Sequence, residues 1–82
     1  MNEMKVVDFE IMNFLTTGIE RIMRSSTNKE AERVCYIYRC HAREKFGGCV
    51  SDRRLEKILT LLTMTCSIMR TTFKENGNEV YL

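Results

Sequence analysis

After Asp8 the apolar residues Ile11, Phe14, Leu15, Ile19, Ile22 and Met23 recur three and four positions apart. That spacing gathers side chains into one stripe along a helix, so it predicts a first helix over residues 8–24. The run Ser25, Ser26, Thr27, Asn28 should end it, because these side chains compete for backbone hydrogen bonds. Thr27 followed by Glu30 fits a capping box and opens a second helix over residues 28–45. Its inner stripe takes Ala31, Val34, Cys35, Ile37 and Tyr38, with His41 at the margin, and Arg33, Arg39, Arg43 and Lys45 fall mostly outside. Gly47 and Gly48 stop this helix. Ser51 caps a third, over residues 52–65, where Val50 sits at staple spacing from Leu55 and where Leu55, Ile58, Leu59 and Leu62 face the core.

The period changes in the last third. Residues 67–73 are rich in Thr and apolar side chains, and Asn76-Gly77 suits a type I′ hairpin turn. A two-residue turn pairs Glu75 with Asn78, Lys74 with Glu79 and Phe73 with Val80, setting opposite charges and then an aromatic and a β-branched residue across from each other. One face of such a ribbon must pack on the helices to be stable. The expected fold class is therefore α+β: a winged helix, a three-helix bundle with a C-terminal two-stranded β-hairpin wing over residues 67–82, all one domain.

At 82 residues the chain has room for one core, since a domain of this size buries only about 60 to 65% of its unfolded surface. Its hydrophobic content of 44% and charged content of 29% are those of an ordinary globular domain, which excludes disordered and collagen-like classes. The polar, mixed-charge start MNEMKVVDFE carries no signal-peptide pattern, so the four cysteines are expected as free thiols in a reducing compartment. The longest near-apolar run, ILTLLTM, is far too short to span a bilayer. A net charge of +2 is mildly basic and decides little between nucleic-acid and protein partners.

Candidate chemistry is sparse. Cys35, Cys40, His41 and Cys49 are zinc-type ligands, but their spacing contains no C-x2-C knuckle and Cys35 falls on the inner stripe, where a free thiol acts as a small hydrophobe. His41, near the end of its helix, more simply meets backbone carbonyls there. One histidine, with no phosphate loop or dinucleotide fingerprint, gives little basis for catalysis, so no enzyme activity, cofactor, metal or small-molecule substrate is expected. Six methionines, Met64 and Met69 among them, are either core filler or an adaptable protein-binding surface.

Three stretches carry a resemblance: LTTGIERIMRSSTNKEAERVCYIY (residues 15–38), LEKIL (55–59), and IMRTTFK with EVYL as two wing strands. Over residues 15–82 the chain resembles the small N-terminal winged helix of chromatin proteins such as atherin, the monocytic-leukaemia-type MYST histone acetyltransferases, and the MYND-finger, bromodomain and PWWP histone reader. The resemblance implies binding of duplex DNA, with unmethylated CpG-containing DNA the best-understood target of that family. It also implies a loop after helix 1 that approaches the minor groove and a wing that approaches the major groove. Phe73 and Lys74 match the family's aromatic-lysine pair, and Arg24 opens the minor-groove loop, where Lys29 also lies. The loop is otherwise poor in basic residues, and Glu75 and Glu79 in the wing would repel phosphate.

The candidate DNA-binding residues are thus Arg24, Lys29, Arg53, Arg54, Lys57, Phe73, Lys74 and Asn76. Five of them have a plainer reading. Lys74 either reads a guanine edge or pairs across the hairpin with Glu79. Phe73 is either a base contact or a core anchor. Arg53, Arg54 and Lys57 either meet phosphate or form a solvated face with Asp52 and Glu56. The expectation is a nuclear chromatin module that binds duplex DNA through wing and loop. The alternative is a protein-interaction domain within a chromatin or transcription complex, with chromatin subunits as partners and no membrane association.

Overall fold

A computed structural model describes residues 3–75, and they form three helices: α1, Glu3–Met23; α2, Asn28–Phe46; and α3, Asp52–Glu75. The α+β expectation is overturned. Among the described residues there is no strand, and α3 runs on through residues 67–73, where the first wing strand was expected. The reason lies in the stripe: Cys66, Met69 and Phe73 extend the three- and four-residue spacing of Ile58, Leu59 and Leu62, and all six side chains are buried. Burial of a continuous helical stripe outweighs the β preference of the intervening threonines, because that preference is a matter of context. The threonines also bond within the helix. Thr63, Thr65, Thr71 and Thr72 each donate a hydroxyl to the carbonyl four residues back, at 2.9 to 3.3 Å. The expected turn at Asn76-Gly77 and the second strand lie outside the described residues.

The helix starts follow the caps. The Thr27 hydroxyl accepts from the Glu30 amide at 3.1 Å, and the Glu30 carboxylate accepts from the Ser26 amide at 2.8 Å, one residue earlier than a standard capping box. The Ser51 hydroxyl accepts from the Arg54 amide at 3.2 Å. Val50 and Leu55 pack against the same cluster of core residues, as a hydrophobic staple does.

Short connections, residues 24–27 and 47–51, make successive helices antiparallel. One end of the core therefore joins Ile11 of α1 to Ala42 and Phe46 of α2 and to Ile58 and Leu59 of α3. The other end joins Ile22, Ala31, Cys35, Leu62, Cys66, Met69 and Phe73. It follows that α1 and α3 run parallel, with α2 reversed between them, in a body 48 Å long and 20 by 16 Å across. Phe14 bridges the two clusters, its ring 5.5 Å from that of Tyr38 and 5.4 Å from that of Phe46. Gly18 lets α1 approach: a β-carbon there would stand 2.9 Å from the Tyr38 ring and 3.1 Å from Leu62.

Candidate interaction surface

The bundle has three lateral faces, one between each pair of helices, and they differ in chemistry. Between α1 and α2, the Phe14–Tyr38 contact runs out to His41, whose ring meets that of Tyr38 at 5.9 Å, and the Lys45 ammonium lies 5.9 Å from the centre of Phe46. His41, placed at the margin of the inner stripe from the sequence, is exposed.

Between α2 and α3 lies a groove of about 280 Å³ bordered by Glu32, Cys35, Arg39, Thr63, Cys66 and Arg70. An ion pair of Arg70 with Glu32 ties the two helices together. The Cys35 thiol donates to the Leu62 carbonyl at 3.5 Å. Burial, and then the neighbouring Cys66, push the Cys35 thiol above its ordinary pKa, against a smaller opposing pull from Arg39. Burial likewise pushes Cys66 up; Arg70 acts against this, and Glu32 with it. Both thiols therefore stay protonated and weakly nucleophilic at neutral pH. The cysteines considered for zinc are dispersed: Cys35 is in the core, Cys40 half-buried, and Cys49 in the α2–α3 connection, donating to the Lys45 carbonyl at 3.6 Å. Among the described residues, no three of His, Cys, Asp and Glu gather as metal ligands.

The third face, between α1 and α3, is apolar and open. In α1, Phe9, Met12, Thr16, Ile19 and Met23 recur at three- and four-residue spacing, and so do Leu61, Met64 and Ile68 in α3. Two contacts fix the direction of each stripe. Phe14 turns toward α2 while Asp8 pairs with Arg54 of α3, so the Phe9–Met23 stripe lies beyond the α3 side of α1. Arg70 turns toward α2 while Arg54 turns toward α1, so Leu61, Met64 and Ile68 lie beyond the α1 side of α3. The two stripes flank one seam.

Exposures on this face are 65% for Phe9, 68% for Met12, 58% for Met23, 44% for Leu61, 53% for Met64 and 62% for Ile68. Taking roughly 200 Å² for each full side chain, they leave about 700 Å² of apolar surface in water, beyond the roughly 300 to 600 Å² of the largest patch on a typical monomer. Two charge pairs border it, and the exposed Lys57 lies one turn before Leu61 on the α3 stripe. Asp8–Arg54 spans the seam at one end, and Glu20–Arg24, at 2.9 Å, borders Met23 at the other.

The candidate DNA-binding residues do not come together. Arg24 and Lys29 lie where α1 passes into α2, whereas Arg53, Arg54 and Lys57 lie at the start of α3, at the opposite end of the bundle and roughly 20 Å away along its axis. Phe73 is a core residue, 6% exposed, rather than a wing residue facing a groove. Lys74 falls in the last turn of α3, not in a strand, and Asn76 lies outside the described residues.

Met23, expected in the buried stripe, and Ile68, expected in a wing strand, both stand on this open face with Phe9 and Met12. A signal was present: α1 is apolar over a wider arc than one buried stripe requires. Met69 is buried as core filler, whereas Met64 is exposed. No helix among the described residues is long and apolar enough to cross a membrane. Comparison with known proteins finds no matching family model, no matching curated protein and no matching solved structure.

Proposed function

We propose that this chain is a non-catalytic helical docking module that binds a protein surface through the face between α1 and α3. The observation that carries the reading is the apolar area of that face, formed by two parallel helices and bordered by the Asp8–Arg54 and Glu20–Arg24 pairs. Exposed methionines suit such a role, because an unbranched thioether adapts to the shape opposite it. The separation of the basic residues to opposite ends of the bundle supports a protein partner over duplex DNA, whose binding draws on one continuous positive footprint. Protonated, buried thiols and an exposed lone histidine packed against Tyr38 support a binding role over catalysis.

Photo-crosslinking tests this reading. A benzophenone amino acid in place of Met64 is expected to give a covalent protein adduct in the cells that make the chain. The same group at Arg33, exposed on α2, is expected to give none. Equal crosslinking at both positions, or none at Met64, contradicts the reading.

A further inference from the structure

We infer that the occupant of the α1–α3 face is a second copy of this chain, related by a two-fold axis, so that two three-helix units close into a six-helix homodimer. This rests on the docking reading above and names its partner.

Four observations point the same way. The apolar area left open, about 700 Å², is close to the roughly 800 Å² that each partner contributes to a standard stable interface. A two-fold contact places the same patch on both sides, so the patch must suit itself. This one is apolar from Phe9 to Met23 on α1 and from Leu61 to Ile68 on α3, with Lys57 one turn before Leu61, and the charges bordering it are matched within the same chain, Asp8 with Arg54 and Glu20 with Arg24. A partner of opposite charge is not called for, and a net charge of +2 per chain repels a second copy little.

Geometry and size add to this. Two parallel helices flanking a seam present a ridge and groove into which the same ridge and groove can pack. Among the described residues the core holds twelve buried apolar residues, and the largest side chains fully out of water are Phe46, Ile22 and Leu62.

Sedimentation of the purified chain from about 1 to 200 µM, the range in which weak to moderate interfaces dissociate, tests the inference. The expected result is a species of twice the 9.7 kDa of one chain. Met64→Asp on α3 and, separately, Met12→Asp on α1 are each expected to weaken pairing by at least about 30-fold. Helical circular dichroism should be unchanged, because both side chains are exposed in the single chain. Arg33→Asp on α2 is expected to leave pairing intact. A monomer throughout the concentration range overturns the homodimer, as does a dimer indifferent to both methionine variants.

The Met64 crosslink separates the two levels of the account. An adduct with a copy of the same chain supports the homodimer. An adduct with a different protein overturns the homodimer and leaves the docking reading standing. No adduct together with a monomer sinks both. Binding of the monomer to phosphatidylserine vesicles, lost in Met64→Asp, overturns the homodimer in favour of a lipid surface.

Discussion

One helix, α3, has two flanks that meet different fates. The flank toward α2 carries Thr63, Cys66 and Arg70, and α2 answers each: Cys35 lies beside Thr63 and Cys66, Glu32 pairs with Arg70, and the groove between is polar-rimmed. The flank beyond α1 carries Leu61, Met64 and Ile68, which no other described residue covers. Both flanks continue the same helical pattern, but large apolar residues stand in water only on the second. What separates them is the availability of a third helix, since three rods can close only the interior they share. Surplus apolar area on an outer face therefore marks where the chain expects company, while polar chemistry at a sealed seam serves the fold.

Four changes break or sharpen that contrast. The largest is between sequence neighbours. Leu62→Ala, at a side chain with no exposure, should cost about 2 to 5 kcal/mol of unfolding free energy. Leu61→Ala, on the open flank, should cost under about 1 kcal/mol in the monomer, as surface substitutions do. Urea denaturation at low protein concentration measures both, and similar losses would dissolve the distinction between sealed and open flanks.

Next is Gly18→Ala. The added methyl gains about 1 kcal/mol of helix propensity but must push apart Tyr38 and Leu62, and overpacking of that kind costs about 1 to 3 kcal/mol. A net loss of roughly 1 kcal/mol is expected in thermal or urea unfolding. A gain would show that α1 has slack against its neighbours.

The sealed flank also predicts a pH dependence. Both thiols are raised in the folded chain above the ordinary value of 9.0. The unfolded chain thus gives up those protons first, and at alkaline pH the folded state holds more of them. Their contribution is fully present below about pH 9 and is lost as pH rises from there through the folded values. Urea midpoints between pH 7 and 10 should fall toward the alkaline end. The double variant Cys35→Ala, Cys66→Ala should fall less steeply, and an equal slope would remove the thiols from the account.

The smallest effect is expected at the Glu32–Arg70 pair. Its side chains are 44% and 47% exposed, and pairs of that kind contribute about 0 to 1 kcal/mol. Glu32→Gln should lower stability within that range at low salt and by less at high salt.

The sequence was legible where a local signal and a tertiary demand agreed. Thr27 with Glu30 and Ser51 before Arg54 marked the starts of α2 and α3 because a cap is a contact among near neighbours. The stripes of Ile11, Ile22, Leu59 and Leu62 marked the core for the same reason. Legibility failed at residues 67–73, where threonine content suggested a strand while Cys66, Met69 and Phe73 kept the helical period. Burial of those three decided the outcome, and burial depends on which neighbours arrive. The docking face was hidden for a related reason. Ile19 and Met23 fall within one apolar stretch as the chain is written, and only the positions of α2 and α3 divide α1 into an inward and an outward stripe. The basic residues could not be assigned to a common surface without the direction of each helix, which places Arg24 and Arg53 at opposite ends.

Oxidative footprinting of the methionines at rising protein concentration tests the central claim most directly, because thioether oxidation by peroxide follows solvent access. In the single chain Met12, Met23 and Met64 are open to water and Met69 is buried, which makes Met69 an internal standard. The account predicts that Met12 and Met64 oxidise rapidly in dilute protein and slow toward the rate of Met69 as concentration rises, with Met64→Asp abolishing the protection at Met12. Rates at Met12 and Met64 that stay high and independent of concentration, while Met69 remains protected, would contradict it.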